Sequence, residues 1–427
     1  MKLAVYSLGC RVNAFEAACI ADRAREAGFE VVPWEGGADI GVVNSCALTS
    51  LAEAKTRQCV RMFARKNPSA KIAITGCYAQ TNPEGARLEN VEWVVGNDQK
   101  GSIIDIILDS LGGARALPER GAGAALLPSG DAPLSDRMNL KIQDGCDNFC
   151  AYCIIPRARG LPRSADFGAI VAAAENLVSR GVRELVITGI NIAKFSTPSG
   201  GLVELLDRLS EIKSLLRLRL GSIEPPLACL GAVLERASDA SHKLMPHLHI
   251  SAQSLSDKVL AAMRRKYGFA DFASMVEKCV SSRPDIAIGC DIICGHPEEG
   301  RAEFELTKKR LLGLPLAYAH VFTFSPRPQT LAWSMKNTPP AAERKARADE
   351  LRAAAGEIRG RFVKSQAGRE REVLLEHQIA AGVYFSHTDN YIPALIECPR
   401  DGMKNALVRA RLEMGAKPGA LAGRIAQ

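Results

Sequence analysis

The segment Gly145-Cys146-Asp147-Asn148-Phe149-Cys150-Ala151-Tyr152-Cys153-Ile154-Ile155-Pro156 decides how the whole chain is interpreted. Its cysteines follow the spacing Cys-x3-Cys-x2-Cys, and no fourth cysteine follows nearby. Three thiolates on a short loop can hold three irons of a 4Fe–4S cluster and leave the fourth iron open. Structural zinc needs a fourth ligand, usually from a second Cys or His pair, and none is spaced for it. We therefore predict that Cys146, Cys150 and Cys153 hold a cluster, against the alternatives of zinc ligands or ordinary core thiols.

The surrounding sequence predicts an open or partial (β/α) barrel within residues 138–364. Six strand candidates alternate with helical stretches: Asn139–Gln143, Glu184–Thr188, Leu216–Gly221, His247–Ser251, Ile286–Ile293 and Ala319–Phe324. The three-cysteine loop directly follows the first of these strands. Because the catalytic loops of such barrels lie at the carboxyl ends of the strands, this position favours a reactive site over a structural one.

A second set of three cysteines lies in the first hundred residues. Cys10, Cys46 and Cys77 each follow a predicted strand, namely Lys2–Leu8, Asp39–Ser45 and Lys71–Gly76. A fourth strand is predicted at Val91–Gly96. Helical patterns separate these strands, so residues 1–100 are predicted to form a parallel α/β domain. The carboxyl ends of parallel strands share one sheet edge, where α/β domains build their sites. Three thiols at this edge predict a second open-iron 4Fe–4S cluster; simple burial of cysteines in a core is the alternative.

The remaining segments complete the predicted domain plan. Residues 101–137 contain Gly-, Ala- and Pro-rich stretches and are predicted to be a linker. The stretch Ala341–Lys364 predicts a helix with a net charge of +3, either a solvated helix face or an RNA contact. Short alternating runs in residues 365–427 predict a small β-barrel.

Composition restricts the class of protein. The chain has 427 residues, 47% of them hydrophobic and 24% charged, which is ordinary for a globular protein. We expect a cytoplasmic location and no membrane span, since no export signal is evident and no apolar run approaches the roughly 18 residues required. Thirteen cysteines then favour cluster chemistry over disulfides. The net charge of +8 permits a polyanionic partner without requiring one.

The two cysteine sets, in this order and followed by a small barrel, resemble the radical S-adenosylmethionine (SAM) methylthiotransferases over nearly the whole chain. Ser7-Leu8-Gly9-Cys10-Arg11-Val12-Asn13, Gly145–Pro156 and His387-Thr388-Asp389-Asn390-Tyr391 are most similar to the bacterial MtaB type. Three positions depart from the family pattern: Leu255, His296 and Gln329. These departures leave both cysteine sets intact and affect the expected substrate preference more than the expected reaction class.

The resemblance implies a fold, a reaction and a set of partners. The fold would be an amino-terminal α/β domain, a partial TIM-like radical SAM barrel and a TRAM-like β-barrel. The substrate would be N6-threonylcarbamoyladenosine next to the anticodon of tRNA, which would receive a methylthio group on adenine C2. The cofactors would be two 4Fe–4S clusters and SAM, which serves as both radical source and methyl donor. The partners would be the tRNA anticodon stem-loop and an electron donor such as flavodoxin or ferredoxin.

Further residues are predicted to contact SAM or the target base. Asn191 and Glu224 follow predicted barrel strands, and Glu224 is expected to accept hydrogen bonds from a ribose. Gln253 and Asp291 are weaker candidates, Gly295 lies in a segment similar to the family's adenine rest, and Tyr152 offers a stacking face. Each of these residues has a turn or capping role as its alternative. Three arginines after the loop are expected to contact tRNA phosphates or to pair with local acids: Arg157, Arg159 and Arg163.

Two other functions compete with tRNA methylthiolation. One is methylthiolation of a ribosomal protein side chain, which the residues after Cys10 disfavour, because that group usually has Pro-Lys-Asn there. The other is a non-catalytic iron–sulfur protein that binds RNA. It would bind RNA without cleaving SAM.

Overall fold

The computed structural model describes residues 1–112, 137–400, 402–416 and 419–425. The chain forms two compact units. The first comprises the described parts of residues 1–182, 187–205 and 325–334, and the second those of residues 183–186, 206–324 and 335–427. Among the described residues, no helix combines the length and apolar character that a bilayer span requires.

The first unit begins with a five-stranded parallel sheet in the order β2-β1-β3-β4-β5. Its strands are β1 (Lys2–Ser7), β2 (Glu30–Val32), β3 (Ile40–Ser45), β4 (Lys71–Gly76) and β5 (Val91–Val95). Its helices are α1 (Arg11–Glu26), α2 (Ser50–Lys66), α3 (Cys77–Thr81), α4 (Pro83–Ala86) and α5 (Ile103–Ser110). Every residue of β3 is buried, as expected for a central strand covered on both faces. The predicted parallel sheet is confirmed, and only the short, largely uncovered strand β2 was missed.

Helix α5 corrects the predicted linker at residues 101–137. Ile103, Ile104 and Ile107 of this helix are fully or almost fully buried in one core with Trp93. The sequence carried the signal, since these isoleucines recur at helical spacing and form an apolar stripe. The linker prediction is therefore wrong for residues 103–110, while residues 113–136 lie outside the described part of the chain.

The first unit continues with the elements around the three-cysteine loop. They are β6 (Arg137–Lys141), β7 (Gln143–Asp144), α6 (Ile155–Arg159), β8 (Arg163–Ser164), α7 (Phe167–Ser179), β9 (Glu184–Thr188), β10 (Ser196–Thr197), β11 (Gly200–Gly201) and α8 (Leu202–Ser210), the first residues of β9 and the last of α8 belonging to the second unit. Short 3-10 turns occur at Lys100–Ser102, Ile192–Lys194 and Leu331–Trp333. Asp166 caps α7, because its side chain accepts a hydrogen bond from Ala169 N at 2.8 Å.

The second unit contains a four-stranded parallel sheet in the order β13-β14-β15-β16. The strands of this sheet are β13 (Ser222–Ile223), β14 (His247–Gln253), β15 (Ala287–Cys294) and β16 (Tyr318–Thr323). They are preceded by β12 (Arg217–Leu220). Its helices are α9 (Leu230–Ser238), α10 (Asp257–Ala262), α11 (Phe269–Ser282), α12 (Arg301–Gly313) and α13 (Ala341–Gln366). All six strands predicted for the middle of the chain are present, with bounds that differ by at most two residues.

Helix α13 is the predicted basic helix, and three of its arginines bind partners within the second unit. Arg347 is buried and pairs with Glu299 at 3.1 Å. Arg359 donates to Gly419 O at 2.8 Å, and Arg361 donates to Leu312 O at 2.8 Å. These partners favour a structural role for the helix over the alternative of an RNA contact.

The carboxyl-terminal segment forms a closed five-stranded barrel in the order β17-β18-β19-β21-β20. The strands are β17 (Glu370–Ala380), β18 (Val383–Thr388), β19 (Pro393–Glu397), β20 (Leu407–Met414) and β21 (Leu421–Ile425). Alternate apolar side chains fill its interior, so the predicted small β-barrel is confirmed.

Two buried arginines of β12 fasten this barrel to the rest of the second unit. Arg217 donates to the carbonyl oxygens of His387 and Glu372, both at 2.9 Å. Arg219 donates to Thr388 O at 3.0 Å and to Asp389 O at 2.6 Å, and it pairs with Glu184 at 2.9 Å. The tail is therefore an integral part of the second unit.

Candidate active site

Three neighbouring strands place Cys10, Cys46 and Cys77 at one edge of the amino-terminal sheet. In this sheet Ser7 pairs with Asn44, and Ser45 pairs with Gly76, so the strands end side by side. Cys46 follows β3 directly, Cys77 begins α3, and Cys10 precedes α1. The predicted common edge is thus present, and it follows from the parallel register of β1, β3 and β4.

The three thiols are close enough to influence each other electrostatically. Burial raises the pKa of Cys46 to about 12, and the negative charges of Cys77 and Cys10 add to this effect. Burial also raises the pKa of Cys10, while the Arg159 guanidinium opposes the shift and Cys77 reinforces it. Thiols in this setting need a bound cation or metal centre to exist as thiolates, which is the form that ligates iron.

Two positions beside these cysteines have no room for a side chain and are glycine. Gly9 has φ +102°, and a Cβ there would lie 2.7 Å from the Cβ and 2.8 Å from the Sγ of Cys46. Gly76 has φ +98°, and a Cβ there would lie 2.5 Å from Ser45 O. Gly9 therefore leaves space for the Cys46 side chain, and Gly76 lets β4 turn into α3 close to the backbone of Ser45.

We expect Gly9→Ala to destabilise the first unit by about 1–3 kcal/mol and to lower the iron content of the reconstituted protein, because the new methyl group overlaps Cys46. Gly181→Ala is the matched control: its φ is +99°, but a Cβ there would have no neighbouring heavy atom within 4 Å. It should carry only the backbone cost. Urea unfolding and iron analysis of both variants would measure this, and equal iron contents would contradict the overlap argument.

The three-cysteine loop is held by backbone hydrogen bonds and by one glutamine. Cys146 N donates to Gly160 O, and Cys153 N donates to Cys150 O, both at 3.0 Å. Gln143 Nε2 donates to Asp144 O and Gly145 O, both at 2.8 Å. The loop is therefore fixed from both ends by the short strand β7 and by the residues after α6.

Gln143 also positions one of the predicted SAM-binding residues. Its Oε1 atom accepts hydrogen bonds from Ile190 N at 3.1 Å and from Asn191 N at 2.8 Å. Asn191 is thereby tied to the segment that carries Cys146. Sequence reasoning missed Gln143, although its position immediately before the loop could have drawn attention to it.

Aromatic residues of the loop differ in exposure. Tyr152 is half-buried, whereas Phe149, with φ +46°, has an exposed side chain. The backbone beside Tyr152 is also anchored, because Ala332 N donates to Ala151 O at 2.7 Å. A stacking role for Tyr152 stays a prediction.

A buried charge network lies beside both cysteine sets. Its members are Glu16 on α1, Lys100, Lys141 on β6, Asp144 on β7 and Arg159 on α6. Glu16 accepts from Lys100 at 2.6 Å, from Lys141 at 2.7 Å and from Arg159 at 2.8 Å. Asp144 accepts from Lys141 at 2.6 Å and from Arg159 at 3.0 Å. With three cations and two carboxylates, we assign the network a net charge of +1.

The electrostatics of the network keep its carboxylates ionised. Burial alone would raise the pKa of Glu16, but Lys100, Lys141 and Arg159 hold that pKa well below its usual range. The charge of Arg159 in turn acts on Cys10 and Cys46. An excess positive charge beside buried thiols suits ligation of an anionic iron–sulfur cluster.

The network decides between the two predicted roles of Arg159. Its guanidinium is buried and also donates to Asn13 Oδ1 at 2.6 Å, so it pairs locally and is not a surface contact for phosphate. Glu16 was missed by sequence reasoning. The available signal was an acid on the apolar stripe of α1, between the buried residues Val12 and Ile20.

The cysteine sets can also be compared with the requirements of a single metal ion. Among the described residues, one set of three His, Cys, Asp or Glu ligand atoms lies within 4.8 Å of one another, and it contains no cysteine. A cluster binds each thiolate through a different iron, whereas one zinc ion must touch all its ligands. Three thiolates without a fourth protein ligand therefore suit an open-iron cluster better than one zinc ion.

The other predicted SAM-binding residues lie in the second unit. Glu224 pairs with Arg265 at 2.8 Å. Gln253 has φ +65°, at the irregular end of β14, and Gly295 has φ +81° and leaves space for the side chain of Arg344. These backbone conformations fit turns at strand ends, and contact with SAM stays a prediction for all three.

Two further cysteines and the three positions that depart from the family pattern have structural explanations. Cys290 and Cys294 are fully buried, and burial raises the pKa of Cys294 to about 12, as expected for thiols packed in a core. Leu255 is buried, and burial lowers the pKa of His296 to about 4, so this ring is neutral. Gln329 adopts φ +68°, which explains why glycine suits this position elsewhere.

Two family models match the chain. Residues 2–96 match a family described as "Uncharacterized protein family UPF0004", and residues 140–311 match the radical SAM superfamily. The two matches contain the first and second cysteine sets, respectively.

Named relatives extend over nearly the whole chain. The "Threonylcarbamoyladenosine tRNA methylthiotransferase MtaB" of Thermotoga maritima is 36% identical, over 91% of this chain and 89% of the relative. The protein of the same name from Aquifex aeolicus is 33% identical over 95% and 98%. A "tRNA-2-methylthio-N(6)-dimethylallyladenosine synthase" of Cereibacter sphaeroides is 32% identical over 99% and 98%.

Solved structures share the fold at low sequence identity. The radical SAM methyltransferase TsrM from Kitasatospora setae, solved with tryptophan and a SAM analogue, superposes with a TM-score of 0.57 at 12% identity, covering 75% of this chain and 72% of TsrM. The cobalamin-dependent radical SAM enzyme OxsB gives a TM-score of 0.52 at 10% identity, covering 82% and 56%. These likenesses establish the predicted radical SAM fold for the chain.

Proposed function

Because the chain belongs to the radical SAM methylthiotransferase family, we propose that it adds a methylthio group to C2 of N6-threonylcarbamoyladenosine beside the anticodon of tRNA. The observation that carries this proposal is the pair of three-cysteine sets within one compact unit. The relatives whose names state this substrate are 32–36% identical to the chain.

Each cysteine set would hold one 4Fe–4S cluster with an open iron: Cys146, Cys150 and Cys153 on the loop, and Cys10, Cys46 and Cys77 at the sheet edge. The clusters and SAM, when bound, supply the electron, the radical chemistry, the sulfur and the methyl group that methylthiolation of an aromatic carbon requires. The protein's own contribution is positioning. Gln143 fixes the loop, and Gly9 and Gly76 leave space at the edge.

The charge network gives a second contribution. Arg159 and its partners place a fixed positive charge beside Cys10 and Cys46, which stabilises thiolate ligands in a buried setting. The same residues tie α1 to the strand before the loop through Glu16 and Lys141. Through these contacts, the elements behind the two cysteine sets are held in one arrangement.

The proposal includes partners and a location. The substrate is the anticodon stem-loop of tRNA, and the target base must leave its stack to reach the reactive centre. An electron donor such as flavodoxin or ferredoxin would reduce the clusters. We also infer a cytoplasmic location, since the proposed substrate is tRNA.

A second candidate substrate is N6-dimethylallyladenosine in tRNA. The relative named for this nucleoside is 32% identical over 99% of the chain, so overall similarity separates the two substrates weakly. The sequence Cys10-Arg11-Val12-Asn13 favours threonylcarbamoyladenosine, since the other group usually has Gln-Met-Asn after this cysteine.

The test is mass spectrometry of tRNA nucleosides from cells that lack the gene, complemented with wild type or Cys150→Ala. We expect the methylthio form of threonylcarbamoyladenosine to disappear on deletion and to return only with wild type. Disappearance of the methylthio form of a dimethylallyladenosine nucleoside would instead support the second substrate. If neither nucleoside changes, the tRNA assignment is wrong.

A further inference from the structure

Three adjacent strands of the second unit bring His249, Asp291 and His320 together. The residues lie on β14, β15 and β16, and Asp291 pairs directly with His320 in the register of the last two strands. Their ligand atoms all lie within 4.8 Å of one another, which is true of no other set of this kind in the described part of the chain. From the sequence alone, Asp291 is only a weak candidate for SAM binding.

The carboxylate of Asp291 lies at the centre of this cluster. Its Oδ1 atom is 2.9 Å from His249 Nε2 and 3.4 Å from His320 Nδ1. The cluster therefore presents one anionic oxygen and two ring nitrogens to the same small space.

A second layer of residues fixes the ring of His249. The Tyr318 hydroxyl lies 3.1 Å from His249 Nδ1 and 2.8 Å from His247 Nε2. It reaches across β15 because Gly289 lies between the two strands. A Cβ at Gly289 would overlap the Tyr318 ring. This glycine thus makes room for a hydrogen bond that spans three strands.

The hydroxyl bridge has a consequence for the proton on His249. If Tyr318 accepts from His249 Nδ1–H and donates to His247 Nε2, the Nε2 lone pair of His249 faces the carboxylate of Asp291. Two lone pairs at 2.9 Å require a proton or a cation between them. Metal-binding histidines commonly have this arrangement, in which the far ring nitrogen is held by a hydrogen bond.

The cluster is accessible from one side. The side chain of His320 is 57% exposed, whereas those of Asp291 and His249 are 19% and 8% exposed. Two imidazoles and one carboxylate are the ligand set that suits Zn²⁺ or Fe²⁺, and three protein ligands leave a coordination position open. The exposed side of His320 offers the route by which an ion can enter.

We propose that His249, Asp291 and His320 form a binding site for a divalent first-row transition metal, separate from the two cysteine sets. The site goes beyond the proposed methylthiolation, which needs no such ion. Tyr318 and Gly289 are its positioning residues, since they orient His249 without contacting the ion.

The test uses the full chain with its iron–sulfur clusters reconstituted and Zn²⁺ as the probe. After equilibration with Zn²⁺ and dialysis, zinc and iron per chain are measured by mass spectrometry. We expect wild type to retain one more zinc than either His320→Ala or Asp291→Asn, with the same iron content in all three proteins. His377→Ala removes an exposed histidine of the β-barrel and should match wild type.

Thermal unfolding distinguishes loss of the site from loss of the fold. Without zinc, His320→Ala should unfold at the wild-type temperature, because its side chain is exposed; with zinc, only wild type and His377→Ala should shift upward. Equal zinc retention by wild type, His320→Ala and Asp291→Asn would overturn the proposal. That result would leave the tRNA nucleoside assay, and the proposed function it tests, unaffected.

Discussion

Cys77→Ala is expected to abolish methylthiolation of tRNA while SAM is still cleaved to 5′-deoxyadenosine, whereas Cys150→Ala should abolish both reactions. Each cysteine set would supply three of the ligands of its own cluster, so one missing thiolate compromises one cluster. Loss of a residue that only orients a metal ligand typically costs about 10–100-fold in affinity or activity. Loss of the ligand itself should therefore lower the affected reaction by more than about 100-fold.

Cys77→Ala and Cys150→Ala are expected to differ because different contacts hold the two cysteine sets in place. The loop of Cys150 is fixed by Gln143 and by hydrogen bonds from Cys146 and Cys153 to backbone carbonyls. None of these bonds involves Cys77, which begins helix α3 after β4. Removing the Cys77 thiol should thus leave the loop and its SAM chemistry in place.

Both products can be measured in one reaction with tRNA, SAM and a chemical reductant. Cys59→Ala is the matched control, because Cys59 lies on α2 of the same unit and outside both sets. It should retain both activities. If Cys77→Ala lost 5′-deoxyadenosine formation as completely as Cys150→Ala, with the iron of the loop cluster still present, the assignment of separate roles would be wrong.

Glu16→Gln is expected to destabilise the first unit by about 3–5 kcal/mol, the cost of removing one partner from a buried ion pair. The substitution leaves Lys100, Lys141 and Arg159 with Asp144 as the one remaining carboxylate of the network. Trp34, Trp93 and Trp333, the chain's three tryptophans, all belong to the first unit. Urea unfolding followed by tryptophan fluorescence therefore reports on the unit that is changed.

Glu26→Gln on the same helix is the matched control. Glu26 lies 3.7 Å from Arg23 and is partly exposed, so its loss should cost less than about 1 kcal/mol. The pKa of Glu16 is lowered in the folded protein, so its contribution is complete above the unfolded pKa of about 4.3 and is lost as the pH falls through the folded value. The difference between wild type and Glu16→Gln should shrink below about pH 4, and a constant difference down to pH 3 would contradict this account.

The sequence predicted those parts of the fold that depend on local pattern. Buried parallel strands are short apolar runs, and a cysteine directly after each run is visible without a structure, so the edge with Cys46 and Cys77 could be anticipated. The loop of Cys150 was legible from ligand spacing alone. The β-barrel followed from alternation and turn residues.

The parts that escaped prediction depend on contacts between distant residues. Glu16 meets Lys141 and Arg159 across 125 and 143 positions of sequence, and nothing local distinguishes such an acid from a surface residue. The space above Gly289 is meaningful only once Tyr318 is known to fill it. Helix α5 was missed for a different reason, because the glycine-rich sequence beyond it dominated the interpretation of residues 101–137.

The two buried arginines of β12 delay completion of the second unit during translation. Arg219 donates to the carbonyl of Asp389, which lies 170 positions later in the chain. At about 5–20 residues per second, a ribosome needs roughly 10–30 s to make that stretch. During this time the nascent chain carries two guanidinium groups whose carbonyl acceptors in the barrel do not yet exist. The second unit can therefore be completed only after nearly the whole chain has been translated, and a message truncated before the barrel would yield a chain that cannot bury these charges.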